Sequence, residues 1–325
     1  MSRNLNIAYD LGLNQSMYCI PKVDMDNIKD NYPVNFKLIN TPNTEKIWEI
    51  AEIYWGNRID LKMIERMPKL KWIHFGSVGV NRVNNINKQD LIITSSKGLV
   101  TSAMTTNIIS LIGIFSRNLS VFFNKKDKQP TSREEFEKYF YTLKNFDEIH
   151  VLIIGLGDIG QSLAKKLNLL GVKVDGISRG NKNLEFVNDE LSFHQAKNQL
   201  HKYDFIISLL PEENSTKDIL NYDFFRGFSK NSIFINAGRG STCNERDLIK
   251  SLNEGYPKFA ILDVVKNEPI SVKEEIYKHP KTFITPHIFA FSPSYWPNEI
   301  ELFKYNLKCY IEKNYKEMKN IEMCI

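Results

Sequence analysis

A short apolar run that breaks at three spaced glycines constrains the fold of this chain more than any other feature. The run covers residues 151–154 and is followed by Gly155-Leu-Gly157-Asp158-Ile159-Gly160. Apolar residues then recur at three- and four-residue spacing, which indicates a helix with one buried face: Ile159, Leu163, Leu167 and Leu170. A second apolar run at 172–177 lies where a βαβ unit requires its next strand. The pattern therefore predicts a unit of parallel strands that binds a dinucleotide.

Each glycine of this motif has a different predicted role. Gly155 permits a tight turn, Gly157 lets backbone amides approach a pyrophosphate, and Gly160 lets the helix pack closely on the strand. The helix N-terminus would face the anion, with Asp158 and Ile159 beside it. The glycine spacing alone is a weak signal, but the flanking strand and helix make it specific.

Three further motifs each place a charged or polar side chain directly after a predicted strand. They are Asn236-Ala237-Gly238-Arg239 after 232–235, Asp263-Val-Val-Lys-Asn-Glu268-Pro after 259–262, and Thr285-Pro-His287 at the end of 282–285. The carboxyl ends of parallel strands meet at one edge of a sheet, and ligands bind there. We therefore expect Arg239, Glu268 and His287 to share a site.

In this order the motifs resemble those of the D-isomer-specific 2-hydroxyacid dehydrogenases. That family includes glyoxylate/hydroxypyruvate reductases, D-lactate dehydrogenases and phosphoglycerate dehydrogenases. The resemblance covers nearly the whole chain. Upstream, residues 70–81 resemble the family's substrate-carboxylate loop, and residues 98–109 resemble the start of its cofactor domain.

The resemblance implies an α/β fold with two domains. A Rossmann-type, doubly wound NAD(P)-binding domain would cover residues 101–289. A flavodoxin-like, discontinuous substrate domain would cover residues 1–100 and 290–325. The active site is then expected in the cleft between the two domains.

Alternating strand-like and helical runs in the first third of the chain also predict a parallel sheet. The strands expected there are 6–10, 36–39, 51–55 and 71–75, with a helix at 60–67. A long apolar helix from Met104 to Val121 would carry the chain into the second domain. The strands expected in that domain are 151–154, 172–177, 205–209, 232–235, 259–262 and 282–285. A helix after His287 should return to pack on the first domain.

Reduction of a 2-keto acid needs a hydride, a general acid near neutral pKa and a fixed cation. His287 is the candidate acid, because imidazole titrates near neutral pH. Arg239 offers a planar fork for the substrate carboxylate and also polarises the carbonyl. The resemblance gives Glu268 the role of orienting the imidazole and favouring its protonated form. It also gives the remaining carboxylate contacts to the backbone amides of Ser77, Val78 and Gly79.

Cofactor choice is predicted from the end of the second strand of the dinucleotide unit. NAD-specific proteins place an acid there, but this chain has Ser178 and Arg179, and Asp175 falls inside the strand. Arg179 can pair with a ribose 2′-phosphate, so NADP is expected to be preferred over NAD. The other expected cofactor contacts are Leu210, Pro211, Thr216, Ala237, Gly238 and Asp263.

Composition excludes several other classes of function. The 325 residues carry a net charge of +5, and the basic residues are spread along the chain and matched by 38 acidic ones, so no nucleic-acid partner is indicated. No apolar stretch is long enough for a membrane span, and the first residues lack the apolar core of a signal peptide, so a cytoplasmic protein without a membrane partner is expected. Four cysteines without C-x-x-C spacing indicate neither a metal site nor a disulfide framework.

A homodimer is expected from the apolar helix that begins near Met104. The helix has too many apolar positions for one buried stripe: Ile108, Ile109, Leu111, Ile112, Ile114 and Phe115. Enzymes of the resembled family commonly dimerise through the cofactor domain around such a helix.

Two departures from the family pattern leave alternatives open. Thr106 lies near where the family usually has an acid, and Glu213 stands where a threonine is common. One alternative is a catalytically weak protein that senses NAD(P) or serves as a scaffold on the same fold. The complete set of Arg239, Glu268 and His287 argues against it, because a pure binder needs no proton donor. A second alternative is oxidation of an unusual donor such as formate or phosphite.

Overall fold

The computed structural model describes residues 4–10, 20–39, 45–79, 83, 86, 90–123, 128–180 and 182–324. The chain divides into two compact units, each with its own parallel sheet. The first comprises Met1–Val100 and Ser292–Ile325, and the second comprises Thr101–Phe291. Among the described residues, no helix is both long enough and apolar enough to cross a bilayer.

Five parallel strands form most of the sheet in the first unit. They are β1 (Leu5–Tyr9), β2 (Val34–Leu38), β3 (Ile53–Gly56), β4 (Trp72–Phe75) and β5 (Ile92–Ser95). The helices between them are α1 (Lys22–Asn31), α2 (Glu45–Ile50) and α3 (Leu61–Glu65). The strand order β2-β1-β3-β4-β5 is that of flavodoxin-like sheets, so this part of the fold prediction is confirmed. Each boundary of the elements predicted for this unit's first 75 residues lies within two residues of the observed boundary. The strand β5 was not predicted.

The second unit contains a seven-stranded parallel sheet. Its strands are β6 (His150–Ile154), β7 (Lys173–Ile177), β8 (Glu190–Leu191), β9 (Phe205–Ser208), β10 (Ile233–Asn236), β11 (Phe259–Leu262) and β12 (Thr282–Ile284). Its helices are α4 (Thr101–Ser116), α5 (Arg133–Phe136), α6 (Asp158–Leu169), α7 (Phe193–Lys197), α8 (Tyr222–Phe225), α9 (Glu245–Glu254) and α10 (Glu275–Lys278). The strand order β8-β7-β6-β9-β10-β11-β12 is that of a Rossmann sheet with one added strand, which confirms the doubly wound prediction.

The apolar helix is shorter than predicted. It ends at Ser116 rather than Val121, because Asn118 adopts a left-handed conformation with φ of 51° and a 3-10 segment follows at Leu119–Phe123. One stripe of α4 is fully buried, consisting of Met104, Ile108, Ile112 and Phe115. The other apolar positions are only partly buried: Ile109, Leu111 and Ile114. The helix α6 also ends before its predicted last apolar residue, and Leu170 is exposed.

The C-terminal segment returns to the first unit, as predicted. Its helix α11 (Tyr295–Ile311) packs Phe303 flat against Trp55, with ring centroids 3.8 Å apart. A final strand, β13 (Ile321–Cys324), pairs antiparallel with β5 at the edge of the sheet. This strand was not predicted from the sequence.

Candidate active site

The glycine turn after β6 adopts the conformation that its sequence predicts. Gly155 has φ of 107°, and the amides of Gly155 and Leu156 donate to the carbonyl of Ile177 at 3.0 and 3.2 Å. A Cβ atom at Gly160 would overlap the Gly155 carbonyl oxygen, so the helix can lie this close to the turn only with glycine. A Cβ at Gly157 would meet no atom within 4 Å, which leaves space in front of the turn.

The N-terminus of α6 faces that space without a side-chain cap. Gly157 is the N-cap residue, and, as a glycine, it provides no side-chain capping hydrogen bond to the first helical turn. The first-turn amides, including that of Ile159, and the positive end of the helix dipole therefore favour an anion. The turn and the open helix terminus fit the pyrophosphate of a dinucleotide.

The residues after β7 form a polar edge beside the glycine turn. The Ser178 hydroxyl donates to the Gly180 carbonyl, and the Lys182 ammonium donates to the Leu156 carbonyl at 2.7 Å. Arg179 has a side chain that is 76% exposed and forms an ion pair with Glu213. Among the described residues, this edge contains two cations, Arg179 and Lys182, and two carboxylates, Glu213 and Glu190, the second of which accepts the Lys182 amide at 2.8 Å.

Asp175 lies elsewhere, as the sequence pattern indicated. It lies within β7, is 3% exposed, and its Oδ2 atom is 2.9 Å from both His150 Nε2 and the Tyr203 hydroxyl. A side chain held in this way is not at the strand end where a ribose would bind. The contact between His150 and Asp175 was not predicted from the sequence.

The loop after β9 is stabilised by Thr216. Its hydroxyl donates to the Pro211 carbonyl at 2.7 Å and accepts the Glu213 amide at 3.0 Å. Thr216 is 7% exposed, whereas Pro211 is exposed and Leu210 is half-buried. The Thr216 side chain thus shapes the loop, while Leu210 and Pro211 remain accessible to a ligand.

Arg239 follows β10 and is half-buried. Its carbonyl accepts hydrogen bonds from the Asn236 amide group and the Thr242 hydroxyl at 3.3 and 2.7 Å. Ala237 and Gly238 before it are buried. The guanidinium donates through Nη1 to the Gly238 carbonyl at 2.7 Å, and no carboxylate in the described part of the chain pairs with it. Its charge is therefore available for an anionic ligand.

His287 and Glu268 meet across the loops that follow β11 and β12. His287 Nδ1 lies 2.8 Å from Glu268 Oε2, and Glu268 Oε1 accepts the Val265 amide at 3.1 Å. The imidazole is 45% exposed, and no described residue pairs with its Nε2 atom. One ring nitrogen is thus held by the carboxylate while the other can contact a ligand.

Asp263 holds the backbone on both sides of His287. Its carboxylate is buried and accepts hydrogen bonds from Thr285 Oγ1 at 2.7 Å and from the amides of Ile288 and Phe289 at 2.8 and 3.1 Å. His287 itself has φ of 56°, and its amide donates to the Asp263 carbonyl at 3.0 Å. Sequence reasoning assigned Asp263 to the cofactor and missed this positioning role.

Three carbonyl groups of the predicted carboxylate loop in the first unit accept hydrogen bonds, whereas three of its amides have no acceptor among the described residues. The Gly76 carbonyl accepts the Asn57 amide group at 3.2 Å and the Tyr295 hydroxyl at 2.6 Å. The Ser77 and Gly79 carbonyls also accept hydrogen bonds, at 3.2 and 3.3 Å. No described residue accepts a hydrogen bond from the amides of Ser77, Val78 or Gly79. Three amides of this kind suit an anion; the rest of the resembling segment, Val80 and Asn81, lies outside the described residues.

A buried polar network lies behind this loop. His74 Nε2 is 3.2 Å from Glu299 Oε1, and both side chains are fully buried. The Ser96 hydroxyl lies 2.5 Å from Glu299 Oε2 and 2.8 Å from the Phe75 carbonyl, next to Gly76. The sequence did not indicate this network, because the partner of His74 lies on α11, more than two hundred residues away.

Known proteins share both the sequence features and the fold. Residues 118–288 match the family described as D-isomer specific 2-hydroxyacid dehydrogenase, NAD binding domain. The glyoxylate reductase of Pyrococcus horikoshii is 28% identical over 283 residues, which cover 83% of this chain and 84% of that protein. The structure of the NADPH-dependent glyoxylate/hydroxypyruvate reductase of Sinorhizobium meliloti, in complex with NADP and sulfate, has a TM-score of 0.77 at 21% identity and covers 98% of each chain.

A third relative was solved with the other cofactor. The D-isomer specific 2-hydroxyacid dehydrogenase of Lactobacillus delbrueckii, in its NAD-complexed form, has a TM-score of 0.72 at 18% identity, over 98% of this chain and 100% of that one. The family match spans 171 of the 325 residues, counted from 118 through 288. Together with the two strand orders, it confirms the resemblance that the motifs indicated, and the chain belongs to the D-isomer specific 2-hydroxyacid dehydrogenases, a family of NAD(P)-dependent oxidoreductases.

Proposed function

We propose that this protein reduces a small 2-keto acid to the D-2-hydroxy acid with NADPH or NADH. The observation that carries the proposal is the contact of 2.8 Å between His287 Nδ1 and Glu268 Oε2, which leaves Nε2 without a partner among the described residues. Arg239 follows β10, the strand next to β11 in the same parallel sheet. A proton donor, its carboxylate partner and a fixed cation at three consecutive strand ends suit the reduction of a keto acid.

Arg239 is proposed to bind the substrate carboxylate and to polarise the carbonyl oxygen. Its guanidinium has donors beyond the one used by Gly238, and it cannot lose its charge near neutral pH. The amides of Ser77, Val78 and Gly79, which have no acceptor among the described residues, are proposed as a further carboxylate-binding group in the first unit.

His287 is proposed to donate a proton from Nε2 to the carbonyl oxygen. Glu268 would hold Nδ1, fix the plane of the ring and favour the protonated form. Asp263 keeps the His287 turn in place through both of its carboxylate oxygens. A bound NAD(P)H supplies the hydride for the carbonyl carbon.

NADPH is proposed as the preferred cofactor, with Arg179 and Ser178 beside its 2′-phosphate. The pyrophosphate would lie at Gly155, Gly157 and Gly160 and at the first turn of α6, next to Asp158 and Ile159. The uncapped helix terminus supports this placement. The remaining contacts would come from the loops after β9, β10 and β11: Leu210, Pro211, Thr216, Ala237, Gly238 and Asp263.

A cytoplasmic homodimer is proposed as the working form, joined through the second unit. Exposed apolar side chains follow α4 closely, and they support a second copy as the partner: Leu119, Phe122, Phe123, Phe140 and Tyr141. A monomer rarely exposes so many large apolar residues in one segment.

The proposed function is tested by following oxidation of NADPH and NADH with glyoxylate, hydroxypyruvate and pyruvate. We expect turnover with at least one of the three, and loss of it in His287→Ala with cofactor binding retained. His194→Ala is a matched control, because His194 is an exposed histidine of the same unit. Cofactor binding without turnover of any 2-keto acid would instead favour the sensing or scaffold protein.

A further inference from the structure

The acid that the sequence lacks at the end of β7 is supplied by another strand end. Glu213 lies in the loop after β9, and its carboxylate forms an ion pair with the guanidinium of Arg179. NAD-specific relatives of this fold place an acid at the end of β7 to bind the ribose 2′-hydroxyl. Here the acid, Glu213, is 34 positions after Arg179 in the chain. It is paired with the guanidinium that a 2′-phosphate would otherwise bind.

We propose that Glu213 determines cofactor selectivity by opposing the preference for NADPH. Its carboxylate competes with the ribose 2′-phosphate for Arg179, and it can accept a hydrogen bond from the 2′-hydroxyl of NADH. The protein would therefore use both cofactors with a modest difference between them. This inference rests on the proposed function only in that the edge after β7 binds the adenosine ribose.

The backbone of Glu213 is fixed independently of its side chain. Its amide donates to Thr216 Oγ1 at 3.0 Å, and its carbonyl accepts the amides of Thr216 and Lys217 at 3.0 and 3.1 Å. The carboxylate also accepts a hydrogen bond of 3.4 Å from the Ser215 hydroxyl. Because the contacts that hold the turn involve the main chain of Glu213 and the side chain of Thr216, the Glu213 side chain can be replaced without loss of the loop.

The charges around this edge explain the direction of the effect. Arg179 and Lys182 are positive and Glu213 and Glu190 are negative, so the four together are neutral. Without Glu213 the charge is +1, which suits a phosphate monoester of about −2 better than a neutral edge does. The side chains of Arg179 and Glu213 are 76% and 37% exposed, and such an exposed ion pair exchanges readily for a stronger anion. The 2′-phosphate of NADPH can therefore bind, but only if it displaces the Glu213 carboxylate from Arg179. The 2′-hydroxyl of NADH does not need to displace that carboxylate.

The test compares two nucleotides that differ only in the 2′-phosphate. Dissociation constants of 2′,5′-ADP and 5′-AMP are measured by calorimetry for the wild type, Glu213→Gln and Glu213→Thr. We expect both variants to bind 2′,5′-ADP roughly 3- to 10-fold more tightly, and 5′-AMP equally or less tightly. The gain should shrink in high salt, because the repulsion is between exposed charges. Glu212→Gln removes the same charge one residue away and should leave the ratio of the two constants unchanged.

A double-mutant cycle then assigns the effect to the ion pair. In an Arg179→Ala background, Glu213→Gln should change the ratio by less than about twofold, because the contested cation is gone. An unchanged ratio in Glu213→Gln and Glu213→Thr, or the same gain for both nucleotides, would overturn the inference. Failure of the wild type to bind either NADP⁺ or NAD⁺ would instead overturn the proposed function. Thermal unfolding of each variant verifies that the fold is intact.

Discussion

His287 Nδ1 lies 2.8 Å from Glu268 Oε2, and this contact joins the loops after two neighbouring strands, β11 and β12. Glu268 is anchored in turn by the Val265 amide, 3.1 Å from its other oxygen. One oxygen of the Glu268 carboxylate thus bonds to its own loop, and the other contacts the imidazole of His287. The proton chemistry proposed for this site therefore depends on the charge of Glu268 as well as on His287.

Replacement of Glu268 by Gln should move the pH above which keto-acid reduction fades to a lower value. The general acid must be protonated, so the rate falls as pH rises, and loss of the carboxylate charge disfavours the protonated imidazole. Initial rates with saturating cofactor from about pH 5 to about pH 9 measure the shift. His287→Ala should lower kcat by about 10²–10⁴-fold at every pH. If the profile of Glu268→Gln keeps its position and loses only amplitude, Glu268 has a structural role.

Replacement of Arg239 by Lys should raise KM for the keto acid and lower kcat together. Lysine keeps the charge but loses the planar fork that binds a carboxylate through two hydrogen bonds. We expect kcat/KM to fall roughly 10- to 100-fold, which corresponds to one lost hydrogen bond to a charged group. Steady-state kinetics measure both constants, with Arg246→Lys on the exposed face of α9 as the control. An unchanged KM would show that Arg239 does not bind the substrate.

Replacement of Asp175 by Asn should destabilise the fold near neutral pH. Burial raises the pKa of Asp175, but hydrogen bonds from His150 and Tyr203 and the charge of His150 outweigh it, so that the pKa lies below its ordinary value of 3.8. A carboxylate with a lowered folded-state pKa contributes stability above its unfolded pKa, and that contribution is lost as pH falls through the folded pKa.

The free energy of unfolding of Asp175→Asn should therefore be about 1–3 kcal/mol below that of the wild type near pH 7. The difference should begin to shrink below about pH 4, where the carboxyl group of the unfolded chain becomes protonated, and should vanish as pH falls through the lower folded-state pKa. Urea unfolding at the two pH values measures it, and Asp147→Asn, an exposed acid of the same unit, is the control. The same difference at both pH values would show that the charge of Asp175 contributes nothing.

Light scattering at micromolar concentration should give the mass of two 37.8 kDa chains. Phe140 is 64% exposed, and Phe140→Asp would place an unpaired charge in the proposed interface and raise the dimer dissociation constant roughly tenfold or more. Val272→Asp is the matched control, because Val272 is also an apolar residue with 64% exposure in the same unit. A mass of one chain for the wild type would contradict the dimer.

The sequence by itself determined the features that depend on local pattern. Each boundary of the six strands predicted in the second unit lies within one residue of the observed one, because short apolar runs and glycine turns are local signals. The positive φ of Gly155 follows from the same motif. The positions of Arg239 and His287 directly after strands were also evident, because a parallel sheet brings its carboxyl ends together.

Only the tertiary structure decided which distant residues meet. It brought Glu213 to Arg179, so that an acid apparently missing at the end of β7 comes from the loop after β9. The Asp263 carboxylate accepts hydrogen bonds from the turn that contains His287, and Glu299 of α11 contacts His74 of β4. The helix end at Ser116 likewise depended on the left-handed conformation of Asn118. These contacts depend on strand order and loop conformation, which bring together residues far apart in the sequence. Periodicity in a single sequence reports only local structure and does not indicate such contacts.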